Sequence, residues 1–322
     1  MMQPTFDKAL LAPKYWPTWF VIAFIFVLAW IPWPLQRRIG QQLGLLAWHL
    51  IPQRRSDTLV NIRLCFPELD AKQHELMARD VFRNAGISIF ETANAWLRSP
   101  EWYRSRTHIE GLEHLKQAEA DGKGVLLLGA HYSQLDLGGT ICSLFFKVDI
   151  IYRPQNNPLI DYFVRRQRAR IYNWQIDHDD MRRLFRSLKA GHTVWYTPDQ
   201  DFGIKQSVFA PFFGITAATL SSTSRLASVN NSAVMFIHFC RDADNNNYKV
   251  LLTPSLKNYP SGDDVADATR INQELETLIR RAPTQYMWFH RRFKTRPVGE
   301  PQVYIKRTRD VRKEKREARM RS

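Results

Sequence analysis

A histidine just past an apolar strand, with a carboxylate a few residues on, is the pairing a general base requires. The stretch GVLLLGAHYSQLDLGG, Gly124 to Gly139, contains one. Val125 to Leu128 reads as a short buried strand and Gly129-Ala130 as a turn; His131 follows, and Asp136 lies five positions beyond it. Open α/β sheets place their ligands at the carboxyl ends of strands, which is where His131 falls. A carboxylate that accepts the proton of one imidazole nitrogen fixes the tautomer and leaves the other nitrogen free to act as base. A spacing of five sets two residues about 140° apart on a regular helix, so Asp136 can orient His131 only if the pair straddles a turn into a helix N-terminus. As a bare pattern H-x4-D recurs by chance, and a surface histidine is the ordinary alternative. Ser133, inside the motif, reads as a packing or capping residue rather than a nucleophile.

Further charged groups collect at other strand ends. Arg153 closes the apolar run VDIIYRP, on the sheet edge expected for His131. Arg168 and Arg170 belong to a cluster, RRQRAR, whose guanidinium forks suit phosphate or sugar-acid oxyanions, although a solvated helix face has the same composition. Asp199 ends the run HTVWYTPD and Asp201 lies two residues on; two carboxylates so spaced could hold a metal, but no further ligand set accompanies them. Arg291, Arg292 and Lys294 follow the aromatic WFH and could meet lipid phosphates or an acidic protein. Phe209, Pro211, Phe212 and Phe213 offer either an apolar wall for a ligand or ordinary core.

The elements that must carry these groups alternate. Short runs rich in β-branched and aromatic residues (VLLL, VDIIYRP, HTVWYTPD, SAVMFIHFCR, YKVLLTPSL) read as strands. Helical stretches are expected over Pro158 to Arg170, Asp180 to Ala190, Thr219 to Ser228 and Asp263 to Arg281. A long helix should run from about 71 to 98 behind Asp70 as cap. The pattern predicts an α/β fold with a mixed, largely parallel sheet flanked by helices. Residues 36–60 read as an amphipathic basic segment that lies at a membrane interface or packs on the globular body.

Composition narrows the partners. With 46 basic and 31 acidic residues the chain carries a formal +15, which calls for an anionic partner. No nucleic-acid motif accompanies the charge. Three scattered cysteines without CxxC spacing suit a reducing compartment. Tyr15 to Leu35 holds no charged residue and includes Trp16, Trp19, Trp30 and Trp33, so it reads as a membrane anchor, spanning or monotopic. The basic residues that follow it place the main body on the cytoplasmic side. The expected organisation is thus a tail and anchor helix over 1–36, a catalytic domain over 37–305, and a basic tail over 306–322. That tail has nine basic and three acidic residues and suits an anionic membrane surface.

The string VLLLGAH-x4-D-LGG, together with NIRLCFPEL, IIYRPQNNPLID, HTVWYTPDQDFG, SVFAPFFG and QYMWFHRRFKTRP, resembles the lauroyl/myristoyl late acyltransferases of lipid A biosynthesis from about residue 15 to 305. The resemblance implies a glycerolipid-acyltransferase-like fold at the bacterial inner membrane, facing the cytoplasm. It implies transfer of a fatty acyl group from acyl carrier protein to a hydroxyl of a 3-hydroxyacyl chain on a Kdo-modified lipid A precursor. His131 would be the general base and Asp136 its orienting partner, without a covalent acyl-enzyme, a metal or another cofactor. Arg153, Arg168, Arg170, Asp199, Asp201, Arg291 and Arg292 would bind or position substrate. Glutamate is commoner than aspartate at the fifth position of the motif in this branch, which puts donor preference in question more than reaction type. A related membrane acyltransferase acting on a phosphoglycolipid or ornithine lipid is the alternative.

Overall fold

The structure is a computed structural model that describes residues 4–242 and 247–305; the expected basic tail over 306–322 lies outside the described residues. At the N-terminus, helix α1 (Trp16–Leu28) is followed by α2 (Trp33–Leu50), α3 (Pro52–Cys65) and α4 (Ala71–Leu97). The apolar run from Tyr15 to Leu35 is therefore broken. Gln36, fully buried in the first turns of α2, donates its amide to the carbonyls of Leu28, Ala29 and Ile31 at 3.2, 2.9 and 2.7 Å. It thereby satisfies backbone acceptors that the end of α1 leaves open. Asn94 of α4 donates to Gln36 Oε1 at 2.7 Å and ties this junction to the body. The 13 residues of α1 rise only about 20 Å, against the roughly 30 Å of a bilayer core. No helix among the described residues is long and apolar enough to cross a membrane, so the expected spanning form is not what these residues build.

The α2–α4 contact is made close by glycine. A Cβ on Gly44 would fall 2.1 Å from the Phe82 carbonyl oxygen, and one on Gly86 would fall 2.0 Å from that of Gly40. Helix α4 begins with a capping box: Asp70 accepts from the Gln73 amide, and the Gln73 side chain accepts from the Asp70 amide, both at 2.8 Å.

Beyond α4 the chain alternates as expected. Strand β1 (Thr107–Glu110) and α5 (Leu112–Ala120) lead to β2 (Val125–Leu128), α6 (Leu135–Cys142), β3 (Asp149–Tyr152), α7 (Pro158–Arg168), β4 (Gln175–Asp177), α8 (Met181–Lys189) and β5 (Thr193–Tyr196). A hairpin of β6 (Ser207–Phe212) and β7 (Ile215–Leu220) follows, then α9 (Ser222–Asn230), β8 (Ala233–Arg241), β9 (Tyr248–Leu252) and α10 (Asp264–Arg281). Seven strands form one sheet in the order β1-β9-β8-β2-β5-β3-β4, parallel except where β8 meets β9. Strand β2 is at its centre, and all four of its residues are buried, as in a parallel sheet covered on both faces.

The sequence reading misses two features here. Strand β4 is three residues long and carries one apolar side chain, Ile176, too little to register as a strand. The SVFAPFFG run is the β6–β7 hairpin, turning on Phe213 and Gly214 at φ 52° and 74°. Phe212 and Phe213 are core residues packed on each other and on Phe293 and Trp288, which answers the question of wall or core for those two.

Candidate active site

The β2–β5 register builds the site. Leu128 is paired with Tyr196, and the Gly129 amide donates to the Tyr196 carbonyl at 2.9 Å. His131 and Asp199 each lie three residues past that paired position, so two parallel neighbours deliver them side by side at the carboxyl edge. His131 Nδ1 is 2.6 Å from Asp199 Oδ1, and the His131 backbone amide donates to Oδ2 at 2.9 Å. The imidazole is 21% exposed and the carboxylate fully covered. Burial alone would raise the Asp199 pKa; the charge and hydrogen bonds of His131 outweigh it and hold the carboxyl at about 2. An ionised Asp199 fixes the proton on Nδ1, which leaves Nε2 as the basic nitrogen. Nε2 lies 3.4 Å from the Thr197 hydroxyl, a long and weak contact.

Asp136, expected to orient His131, is engaged elsewhere. It sits in the first turn of α6, past the expected turn, and its Oδ1 accepts from Arg168 Nε at 2.8 Å and lies 2.7 Å from Nη2. The carboxylate on His131 Nδ1 is Asp199, because strand pairing brings it there, while the start of α6 turns Asp136 toward the end of α7.

A second segment clamps the loop that carries His131 from the other side. Ser133 N donates to the Gln285 carbonyl and Met287 N to the His131 carbonyl, both at 2.9 Å. Gln285 Oε1 accepts from Gln134 Nε2 at 2.5 Å and from the Arg241 amide at 2.9 Å. Continuing this segment, the His290 ring meets His131 edge-on, centroids 5.5 Å apart, and its Nε2 is 3.0 Å from Gln200 Nε2. Burial, then the charge of His131, pushes the His290 pKa down to about 4. His290 and Thr197 both lie within motifs quoted above, yet nothing in their spacing marks them as neighbours of His131.

The remaining expected residues divide between open positions and structural ones. Arg153 is exposed past β3. Arg170 is exposed and donates to the Trp96 carbonyl at 2.7 Å. Asp201 accepts from the Thr295 amide and hydroxyl, at 2.6 and 2.8 Å, and from the Gly203 amide, so it clamps a loop. Asp199 on His131 and Asp201 on Thr295 thus have separate partners. Arg291 pairs with Asp57 at 2.9 Å with its side chain 10% exposed. Arg292 is 2% exposed, donates to the Ala218 carbonyl and the Thr219 hydroxyl, and covers the Phe212 ring. A buried guanidinium so occupied cannot reach a lipid phosphate; Arg291 and Arg292 hold the C-terminal loop against α3 and the hairpin. Lys294, with its side chain 55% exposed, is the most accessible of the three, and its Nζ lies 3.9 Å from Asp201 Oδ1.

A histidine–carboxylate pair at a sheet edge suits several chemistries, and comparison with known proteins narrows them. The family model for bacterial lipid A biosynthesis acyltransferases matches residues 3–295. The lipid A biosynthesis palmitoleoyltransferase of Escherichia coli (strain K12) is 37% identical over 304 residues, covering 94% of this chain and 99% of that one. The lauroyltransferase of the same organism is 35% identical over 302 residues, again 94% and 99%, and its myristoyltransferase 29% over 303, 94% of each. An acyltransferase, this chain belongs to the bacterial lipid A biosynthesis acyltransferase family.

Proposed function

We propose that this acyltransferase moves a fatty acyl group from the thioester of acyl carrier protein to a hydroxyl of a 3-hydroxyacyl chain on a Kdo-modified lipid A precursor. The observation that carries the mechanism is the His131 Nδ1–Asp199 contact at 2.6 Å, which leaves Nε2 as the free base at the sheet edge. The acceptor hydroxyl takes the position beside Nε2 where Thr197 now makes its long contact. Nε2 removes the hydroxyl proton as the oxygen attacks the thioester carbonyl. The C–O bond forms, the C–S bond breaks, and the departing thiolate recovers the proton from Nε2–H. Asp199 balances the imidazolium in between, and the neutral His290 adds no competing positive charge. The enzyme itself carries no acyl group. Exposed Arg153, Arg170 and Lys294 supply cations for the acceptor's oxyanions, and Asp136 sets the position of Arg168.

Attachment to the cytoplasmic face of the inner membrane would be monotopic. Phe20 of α1 is 81% exposed, Trp30 in the turn after it 86%, and Leu46 and Leu50 of α2 are also exposed. These side chains, with Arg37 and Arg38 close by in sequence, suit burial at an anionic lipid interface. The test is His131→Ala, purified in detergent and supplied with acyl-acyl carrier protein and lipid A precursor. A loss of about 10²–10⁴-fold is expected. Full activity would remove His131 from the mechanism, and transfer only to a phospholipid or ornithine lipid would reassign the acceptor.

A further inference from the structure

At the amino edge of the sheet, opposite His131, the structure contains a second cavity, of about 440 Å³. That volume is within the range of small-molecule sites. Asp149 opens β3, Trp174 precedes β4 and His192 precedes β5; Arg183, Arg186 and Ser187 reach it from α8. Nothing in the acyl-transfer chemistry uses this edge.

The lining is built in a way that packing alone does not require. Asp149 is fully buried, and its Oδ2 accepts from Ser187 Oγ at 2.5 Å and faces His192 Nδ1 at 2.9 Å. Its Oδ1 is buried with no hydrogen-bond partner among the described residues. A carboxylate so placed is costly unless it serves a neighbour. Here it holds His192 by Nδ1, as Asp199 holds His131, and leaves Nε2 on the opposite edge of a ring that is 37% exposed. The Arg183 guanidinium lies 4.2 Å over the Trp174 ring, which is itself 41% exposed. Arg186, one turn further along α8, is exposed, and neither arginine has a carboxylate partner among the described residues. The one acidic group at the site is already faced by His192 and Ser187. The cavity therefore presents two guanidinium groups without a carboxylate partner, an imidazole nitrogen, and a partly exposed indole with Arg183 over one face.

We propose that this cavity is a second ligand site, for a phosphate monoester carried on a flat body of mononucleotide size. Arg183, Arg186 and His192 Nε2 meet the phosphate, whose two negative charges suit two guanidinium forks, and Trp174 stacks on the flat part. A cationic ligand is disfavoured by the arginines, and a purely apolar one would leave them desolvated.

Calorimetric titration of the full chain tests the assignment, in detergent for the soluble probes and after detergent removal for the vesicles. The probes are adenosine monophosphate, inorganic phosphate, and vesicles of neutral phospholipid with and without phosphatidic acid. Saturable binding of adenosine monophosphate is expected, weakened at least about tenfold by Arg186→Gln and by Trp174→Ala, with native melting curves for both variants. His131→Ala should bind it as the parent chain does, which separates this site from the active site. If only phosphatidic acid vesicles bind, with the same dependence on Arg186 and Trp174, the phosphate comes from a lipid headgroup and the flat body is wrong. Inorganic phosphate that binds as tightly as the nucleotide would also overturn the flat body. No saturable binding of any probe, or binding that both substitutions leave unchanged, overturns the site.

Discussion

The proposed base, His131, needs the tautomer that carries its proton on Nδ1, and the group placed to enforce this is Asp199, whose two oxygens meet the His131 ring and amide. Asp199→Asn keeps the size but loses the charge and can impose the other tautomer. Activity should fall by about 10²–10⁴-fold with the melting temperature little changed. Asp136→Asn removes instead the counter-charge of Arg168, a pair whose two side chains are about one-fifth exposed. It should cost about 1–3 kcal/mol of stability and less activity than Asp199→Asn. Paired measurements of turnover and thermal unfolding on both variants decide the matter; the opposite ranking in activity would return Asp136 to the role of orienting His131. Position explains why the sequence pointed to Asp136 first. Asp136 is five residues from His131 and Asp199 is 68, and only the β2–β5 register reveals that the distant carboxylate is the adjacent one. The place of His131 just past a buried strand was legible in the sequence, whereas its partner depends on strand order, which no local pattern contains.

Elements with strong internal signals were legible almost to the residue: β2 as an apolar tetrapeptide, α4 from its cap and period, and α7, α8 and α10 from their bounding residues. Those defined by contact were not. The N-terminal apolar run has the composition of a span, but Pro32 and the Gln36 cap break it, and α2 then lies tight against α4 through Gly40, Gly44 and Gly86. Gly44→Ala would press a methyl into the Phe82 carbonyl and force the helices apart. An overpacking cost of about 1–3 kcal/mol is expected, read as a lower urea midpoint with an unchanged slope; a neutral result would mean that the helices separate freely. On α1, whose exposed aromatics face away from the body, Phe20→Glu with Phe24→Glu should leave the fold intact and shift the protein from the membrane pellet to the soluble fraction. Retention in the pellet at native levels would show that α1 is not the attachment surface.

Across the whole molecule, buried imidazoles link folding to pH. His238, 3% exposed on β8 with its Nδ1 2.8 Å from the Tyr132 hydroxyl, has its pKa pushed down to about 4, by burial first and then by the charge of Arg281. His290 is lowered likewise, to about 4. An unfolded histidine titrates near 6.5, so between pH 6.5 and about 4 the unfolded chain binds protons that the folded chain refuses. Stability is therefore full above 6.5, falls as the pH drops toward 4, and gains no further penalty from these groups below that. For His238 alone the loss is on the order of 3 kcal/mol. Asp199 works in a lower window: its carboxyl, held at about 2 against an ordinary 3.8, stabilises the fold above 3.8 and loses that contribution only as the pH falls through about 2. Urea unfolding in steps from pH 7 to 4 should thus show a decline set by the histidines. In His238→Gln, whose neutral amide can still meet Tyr132, the decline should be shallower even if stability at pH 7 is lower. Equal slopes in the two proteins would mean that His238 does not carry the linkage.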